Sequence, residues 1–514
     1  MKRRHGGRLG AGILVTGLLL TGCAGGNGVE RTSDRGGGRH APAVPDGGGR
    51  TGADAPEGEQ RSRPPAADHL STFALDVDTA SYGYARRTLA DGRLPDPATV
   101  RPEEFVNSFR PDYRRPEGDG FSVTVDGARS SDDGWSLVRV GLATRAAEPK
   151  GTRPPAALTF VVDISGSMAE PGRLDLVKES LGILTDELRD DDSVALVTFS
   201  NEAETVLPMS TVGENRERIH GLVDELATTS STNVEAGVRT GYDVAVEGHR
   251  KGAVNRVVLL SDALANTGDT EAQSILNRID EERREYGITL FGVGVGSDYG
   301  DAFMERLADK GDGHTTYVST REQARKVFVE QLPTHIELRA RDAKAQVAFD
   351  PATVERFRLI GYENREVADE DFRDDRVDGG EVGAGHTVTA LYAVKTRPGR
   401  TGHLATATVR WLDPKTRAPH ERSGTVGTAA LTSSVWAAGH DSLQLTAVTA
   451  YFAERLRGGD LPGAPSLSEL ARYSAAIAER SRSKVVRELT EAIRQADRLH
   501  GPDGDAEPGD PYSG

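Results

Sequence analysis

Between residues 156 and 332 the chain alternates short, continuously apolar runs with amphipathic stretches; "ALTFVVD", "SVALVTFS", "NRVVLLSD" and "ITLFGVGVG" are the runs. Apolar runs without polar alternation belong to strands covered on both faces, hence to a mainly parallel sheet with helices on either side. Between the first two runs, Leu174, Val177, Leu181, Leu184 and Leu188 fall on one helical stripe, with acids and Lys178 elsewhere. That pattern predicts a βαβ unit.

On either side the period changes. Upstream, Phe73, Leu75 and Val77 alternate as in a strand, two short helices punctuated by Asp-Gly and Pro follow, and strand-like "FSVTVDG" and "WSLVRVGLAT" come next. Downstream, "AKAQVAFD", "HTVTALYAVKT" and "GHLATATVRWLD" alternate again, and helical segments occur around "SLQLTAVTAYFAERLRG" and "SKVVRELTEAIRQADRL". Neither set of strands has enough members to bury a face alone, so the two sets are expected to pair with each other across the intervening domain. The fold class that follows is α/β: a doubly wound, mainly parallel sheet inserted between β-strand-rich flanks, with a helical C-terminal segment. The expected boundaries are 69–155 for the N-terminal flank, 156–332 for the parallel domain, 333–430 for the β-rich extension and 431–500 for the helical segment.

Composition removes some function classes. A chain of 514 residues exceeds what one core usually serves and suggests two or three domains. The formal charge of -16, with no basic stripe after residue 10, argues against a nucleic-acid partner, since neutralising phosphates needs clustered Lys and Arg. A single cysteine, Cys23, leaves no disulfide or thiolate metal site within one chain.

The position of Cys23 suggests its role. Basic "MKRRHGGR" precedes an apolar stretch from Ala11 to Leu20 that is too short to span a bilayer, and "LTGC" follows. That tetrapeptide resembles the bacterial lipobox, which implies cleavage after residue 22 and a lipid on Cys23. Residues 23–68 are Gly, Pro, Arg, Asp and Ala with scarcely an aliphatic side chain, the composition of a disordered tether, and 501–514 read as a disordered tail. The expected localisation is the extracytoplasmic face of a cell membrane, lipid-anchored. The Arg-Arg pair leaves Sec and twin-arginine export both open.

The chemistry concentrates where the first apolar run ends. "TFVVDISGSM" drives a buried strand into a carboxylate and two hydroxyls, Asp163, Ser165 and Ser167, and in an open parallel sheet the loops beyond the strands' carboxyl ends form the ligand crevice. "DISGSM", Thr232 in "STNVEAGV" five residues before Gly237, and Asp262 closing "VVLLSD" together resemble the von Willebrand factor type A (VWA) domain and its metal-ion-dependent adhesion site. The resemblance implies that Ser165, Ser167 and Thr232 are direct or near-direct ligands, that Asp163 and Asp262 act largely through metal-bound water, and that one position stays open for a partner's carboxylate. Hydroxyls suit a hard cation wanting about six oxygens, Mg²⁺ before Mn²⁺ or Ca²⁺. Ala263 stands where that family often has glycine. Stretches in both flanks, among them "FALDVDTASYGYARRTL" and "RLIGYENREVADEDF", are similar to a bacterial exported VWA family with its own N-terminal and C-terminal extensions.

The expected function is a membrane-anchored VWA lipoprotein that uses a cation to bind an unidentified protein presenting an acidic side chain. One alternative is an envelope scaffold with a purely structural metal. Another is a hydrolase with Ser165 or Ser167 as nucleophile, against which stand the missing G-x-S-x-G and the absence of histidine from that loop. Lesser features read as structural: Asp76 and Asp78 as acids at a strand end, Gly292, Gly294 and Gly296 as close strand packing, the acids after Ala368 as a solvated turn, and His314 as a surface or edge residue.

Overall fold

All eight residues of the run Ala156–Asp163 are buried, as a strand covered on both faces requires. The computed structural model describes residues 69–130, 134–146, 153–262, 269–295, 314–331, 337–377, 379–437 and 440–500. Cys23, the expected signal segment, the tether, the tail, Ala263 and Gly296 lie outside the described residues.

The first described elements are β1 (Leu70–Ala74), α1 (Ala80–Ala90), α2 (Pro102–Asn107), β2 (Phe121–Arg129) and β3 (Trp135–Thr144). The parallel domain follows with β4 (Ala156–Asp163), α3 (Leu174–Glu187), β5 (Ser193–Phe199), β6 (Ala203–Thr211), α4 (Val212–Asp224), α5 (Val234–Glu247) and β7 (Val254–Ser261). It continues with α6 (Asp269–Tyr286), β8 (Thr289–Val295), β9 (His314–Val318) and α7 (Arg321–Arg325). Then come β10 (Leu338–Phe349), β11 (Val354–Leu359), β12 (Val382–Gly383), β13 (Thr387–Thr396), β14 (His403–Leu412) and β15 (Pro419–Gly427), and finally α8 (Asp441–Leu456), α9 (Leu467–Ser481) and α10 (Lys484–His500).

The six-stranded sheet has the order β6-β5-β4-β7-β8-β9 and is parallel except for β6, which runs antiparallel to β5. One face is covered by Leu174, Val177, Leu181 and Leu184 of α3 with Ile219 and Val223 of α4. The other is covered by Val234, Val238 and Tyr242 of α5 with Ile275 and Ile279 of α6. Full burial of each such side chain is worth about 1.5–3 kcal/mol, so the two helical layers supply much of the domain's stability.

The flanking strands pair across this domain. β1 pairs with β10, setting Phe73 opposite Ala345, and β3 pairs with β13, setting Val140 opposite Ala390. The two antiparallel sheets, β1-β10-β14-β15 with β12 on β10, and β11-β13-β3-β2, enclose a shared core that includes Phe73, Val347, Val409, Val138, Val388 and Tyr392. The helices α2 and α8 cover the outer face of the second sheet, and α1, α9 and α10 join them in one apolar cluster with Leu137, Leu391 and Ala393.

Two strands carry no clear sequence signal. In β6 only Leu207 is fully buried, β15 is exposed along most of its length, and both lie at sheet edges. An edge strand with a wet face needs no apolar period, so its neighbour rather than its composition defines it. In α9, by contrast, the Ser466–Glu469 capping box marks the helix start, and the stripe of Leu467, Leu470 and Ile477 takes in one polar member, Ser474. That serine shares a buried hydrogen bond with Thr490 of α10, 2.8 Å away.

Candidate metal centre

Strand register brings two of the three loops together. β4 and β7 are parallel neighbours with Val162 opposite Leu260, which sets Ser261 beside Asp163 at the carboxyl ends of the strands. Asp163 is 0 % exposed; its Oδ1 accepts the Ser165 N–H at 2.8 Å and its Oδ2 accepts the Ser261 hydroxyl at 2.6 Å. Burial pushes its carboxyl above the ordinary carboxylate range, the bonds from Ser261 and Ser165 pull it back, and the nearby Asp262 raises it further. Two neighbouring buried acids form a site whose charge a bound cation would relieve.

Ser165 is buried and Ser167 exposed, and their hydroxyl oxygens lie 3.1 Å apart, close enough to serve one ion. The second loop is tied to the first by its backbone: the Thr229 N–H donates to the Ile164 carbonyl at 2.7 Å. Ser231 turns through φ +71°, and Asn233 caps α5 by accepting the Ala236 N–H at 3.0 Å. Thr232 is exposed between those two anchors, brought to the same end of the sheet but not hydrogen-bonded to the other four residues among those described.

On the third loop Asp262 is 4 % exposed. Its Oδ2 accepts from Arg173 Nη1 at 2.5 Å, and the same nitrogen donates to the Ser167 carbonyl at 3.0 Å. Arg173 Nη2 lies 2.8 Å from Glu170. Sequence reasoning missed both Ser261 and Arg173. Ser261 sits next to Asp262 at the end of an apolar run, a signal available in principle; Arg173 had only its place immediately before the stripe of α3 to mark it.

The donor set suits a hard divalent cation: neutral hydroxyls and carboxylates, all oxygen, drawn from three loops. Among the described residues no group of three or more His, Cys, Asp or Glu is arranged to hold a metal, so a site here depends on the hydroxyls. No imidazole hydrogen-bonds to Ser165 or Ser167 among the described residues, whose hydroxyls bond to each other.

The lesser features have structural partners. Asp78 accepts both the N–H and the hydroxyl of Thr315 at 2.8 Å, joining the N-terminal flank to β9, and the Asp76 carbonyl accepts from Arg365. In the acid-rich turn Asp369 accepts the Thr72 hydroxyl at 2.7 Å, while the Asp374 carbonyl accepts from Lys344 at 2.6 Å. Gly292 and Gly294 lie inside β8, and His314 opens the edge strand β9.

A family model for the von Willebrand factor type A domain matches residues 157–330, one described as von Willebrand factor matches 56–136, and one described as Uncharacterized protein YfbK, C-terminal, matches 336–402. The chain is 34% identical over 434 residues to Uncharacterized protein YfbK of Escherichia coli (strain K12), covering 80% of this chain and 75% of that protein. The chain belongs to the YfbK family of VWA-domain proteins.

That YfbK match reaches well beyond residues 157–330, so the flanks belong to the shared architecture along with the VWA domain. Another similarity is narrower: the inter-alpha-trypsin inhibitor heavy chain H3 of Homo sapiens is 28% identical over 38% of this chain and 22% of its own length. Among solved structures, the von Willebrand factor type A protein from Catenulispora acidiphila is 14% identical, covers 76% of this chain and 97% of its own, and superposes with a TM-score of 0.48.

Proposed function

We propose that this YfbK-family protein is a metal-dependent binding module in which the VWA loops hold one divalent cation, Mg²⁺ first and Mn²⁺ or Ca²⁺ as substitutes, for recognition of an acidic side chain on another protein. VWA domains commonly mediate protein–protein interaction. The observation that carries the reading is the meeting of a hydrogen-bonded buried carboxylate, Asp163, with the Ser165–Ser167 hydroxyl pair and the neighbouring Asp262 at one end of the sheet. The cation, when bound, supplies the positive charge that attracts the partner's carboxylate. The chain's residues do the rest: Asp163 orients the first loop through the Ser165 N–H, Ser165 and Ser167 offer hydroxyl oxygens, and Thr232 and Asp262 contribute from the adjoining loops. We further propose that Cys23 carries lipid and holds the protein at the extracytoplasmic face of the membrane.

The test is calorimetric titration of Mg²⁺ and Mn²⁺ into the wild type and into Asp163→Ala, Asp163→Asn, Ser165→Ala and Thr232→Ala, with circular dichroism as the folding control. Cation binding is expected to vanish in the Asp163 variants and to weaken in the other two. Affinity capture from the native envelope with and without EDTA adds the partner. Unchanged cation affinity in folded Asp163→Asn refutes the site. A partner that stays bound in EDTA reduces the metal to a structural part of an envelope scaffold.

A further inference from the structure

The candidate metal centre already contains a cation of its own. Arg173 is 4 % exposed, and its guanidinium spans two of the three loops: to Asp262 Oδ2 at 2.5 Å on the third, and to the Ser167 carbonyl at 3.0 Å and Glu170 at 2.8 Å on the first. Asp163 and Asp262 are the two acids of the centre, and the arginine neutralises one of them directly. An arginine cannot shed its proton to make way for a metal. It also precedes the first residue of α3, so its backbone is anchored while its side chain reaches into the site.

We infer that Arg173 is a positioning residue that acts as an internal counter-cation: it holds Asp262 and the first loop together without metal, and it competes with a bound divalent cation for the Asp262 carboxylate. The inference rests on the metal-binding reading above. Its physical basis is differential interaction, because a ligand shifts an equilibrium only by the difference in its affinity for the two states. With the guanidinium in place, the incoming cation meets one uncompensated acid instead of two and lies near a fixed like charge. Affinity for the cation alone is therefore held low, and a partner's carboxylate makes up the missing negative charge. Since such coupling is reciprocal, the arginine converts a simple metal site into one that fills when the partner arrives.

The experiment uses the full chain with Arg173→Gln, which keeps hydrogen-bonding atoms and loses the charge, and Arg173→Lys, which keeps the charge. Free Mn²⁺ is followed by electron paramagnetic resonance and heat by calorimetry, with thermal unfolding in EDTA as the folding control. Arg173→Gln is expected to bind Mn²⁺ at least about tenfold more tightly than wild type, and Arg173→Lys within about threefold of it. In an Asp262→Asn background the gain on removing Arg173 should shrink, since competition for that carboxylate is gone and only the like-charge repulsion remains. A residue with only a structural role would weaken binding when replaced, so the direction separates the two explanations. Unchanged or weaker Mn²⁺ binding by folded Arg173→Gln overturns the inference. If wild type and variant both fold and neither binds Mn²⁺, the metal reading itself fails and the inference with it. Should Arg173→Gln not fold, Arg173→Met, which keeps the apolar stem, is measured against the same expectation.

Discussion

Glu103 is a buried acid at odds with its surroundings: it is 1 % exposed, and its Oε1 accepts from Arg365 Nη1 at 3.1 Å. Burial raises its carboxyl from 4.5 to about 7, the Arg365 charge opposes that rise, and Glu363 and Glu104 add to it. The folded chain therefore holds this proton more tightly than the unfolded chain does. The group's stabilising contribution is complete below about pH 4.5 and is lost as pH rises through about 7. Denaturant unfolding from pH 5 to 8 should show the wild type losing on the order of 1–3 kcal/mol more than Glu103→Gln. Parallel pH profiles would exclude the assignment. Nothing in "RPEEF" marks this residue as buried, whereas Asp163 announces itself by ending an apolar run. A carboxylate's burial is legible only when the residues around it already define a strand.

At the scale of elements, α5 shows how packing places a site residue. A Cβ on Gly237 would lie 2.5 Å from the Phe199 ring of β5, and one on Gly241 would collide with Val161 of β4. The two glycines let the helix lie directly against the sheet, and that contact sets where the preceding loop delivers Thr232. Gly237→Ala is expected to cost about 1–3 kcal/mol through overpacking and to lower cation affinity severalfold as α5 backs away. Gly221 in α4 is the control, since a Cβ there meets nothing within 4 Å. Gly221→Ala should stabilise by about 0.4–1 kcal/mol through helix propensity and the unfolded chain, leaving cation affinity unchanged. Chemical denaturation of both variants checks the opposite signs; a shared sign would mean that the close approach of α5 does not constrain the helix.

On the scale of the whole molecule, the VWA domain is held at both ends by strands that pair with each other, β1 with β10 and β3 with β13. Side chains lock it to its flanks. Asp78 binds Thr315 of β9, and Arg256 of β7, 1 % exposed, meets Glu381 beside β12 at 3.2 Å. Buried charge pairs of this kind are costly to break from one side, so the domain and its flanks are expected to move as one body. A binding module in such a frame needs no mobility of its own if it is carried on a tether. Cys23→Ser should release the protein into the medium or leave it as an unprocessed precursor, read by fractionation and by mass spectrometry of the N-terminus. Processed protein that stays on the membrane would remove the lipid anchor from the picture.

Whereas Thr232 was expected only from the resemblance to the VWA domain, the sequence by itself determined the parallel sheet, its α3 helix and the positions of Asp163 and Asp262 at the ends of apolar runs. Each is a local signal, an apolar run or a 3.6-residue stripe followed by a polar break, and burial on both faces leaves strands little freedom to read otherwise. It also showed that neither set of flanking strands had enough members to bury a face alone. What only the tertiary structure decided was register and reach: that Val162 faces Leu260 and so sets Ser261 on Asp163, and that the guanidinium of Arg173 crosses from the start of α3 to Asp262. Such contacts join residues far apart in the chain through long side chains or neighbouring strands. Their geometry follows from how the elements stack, which no local period records.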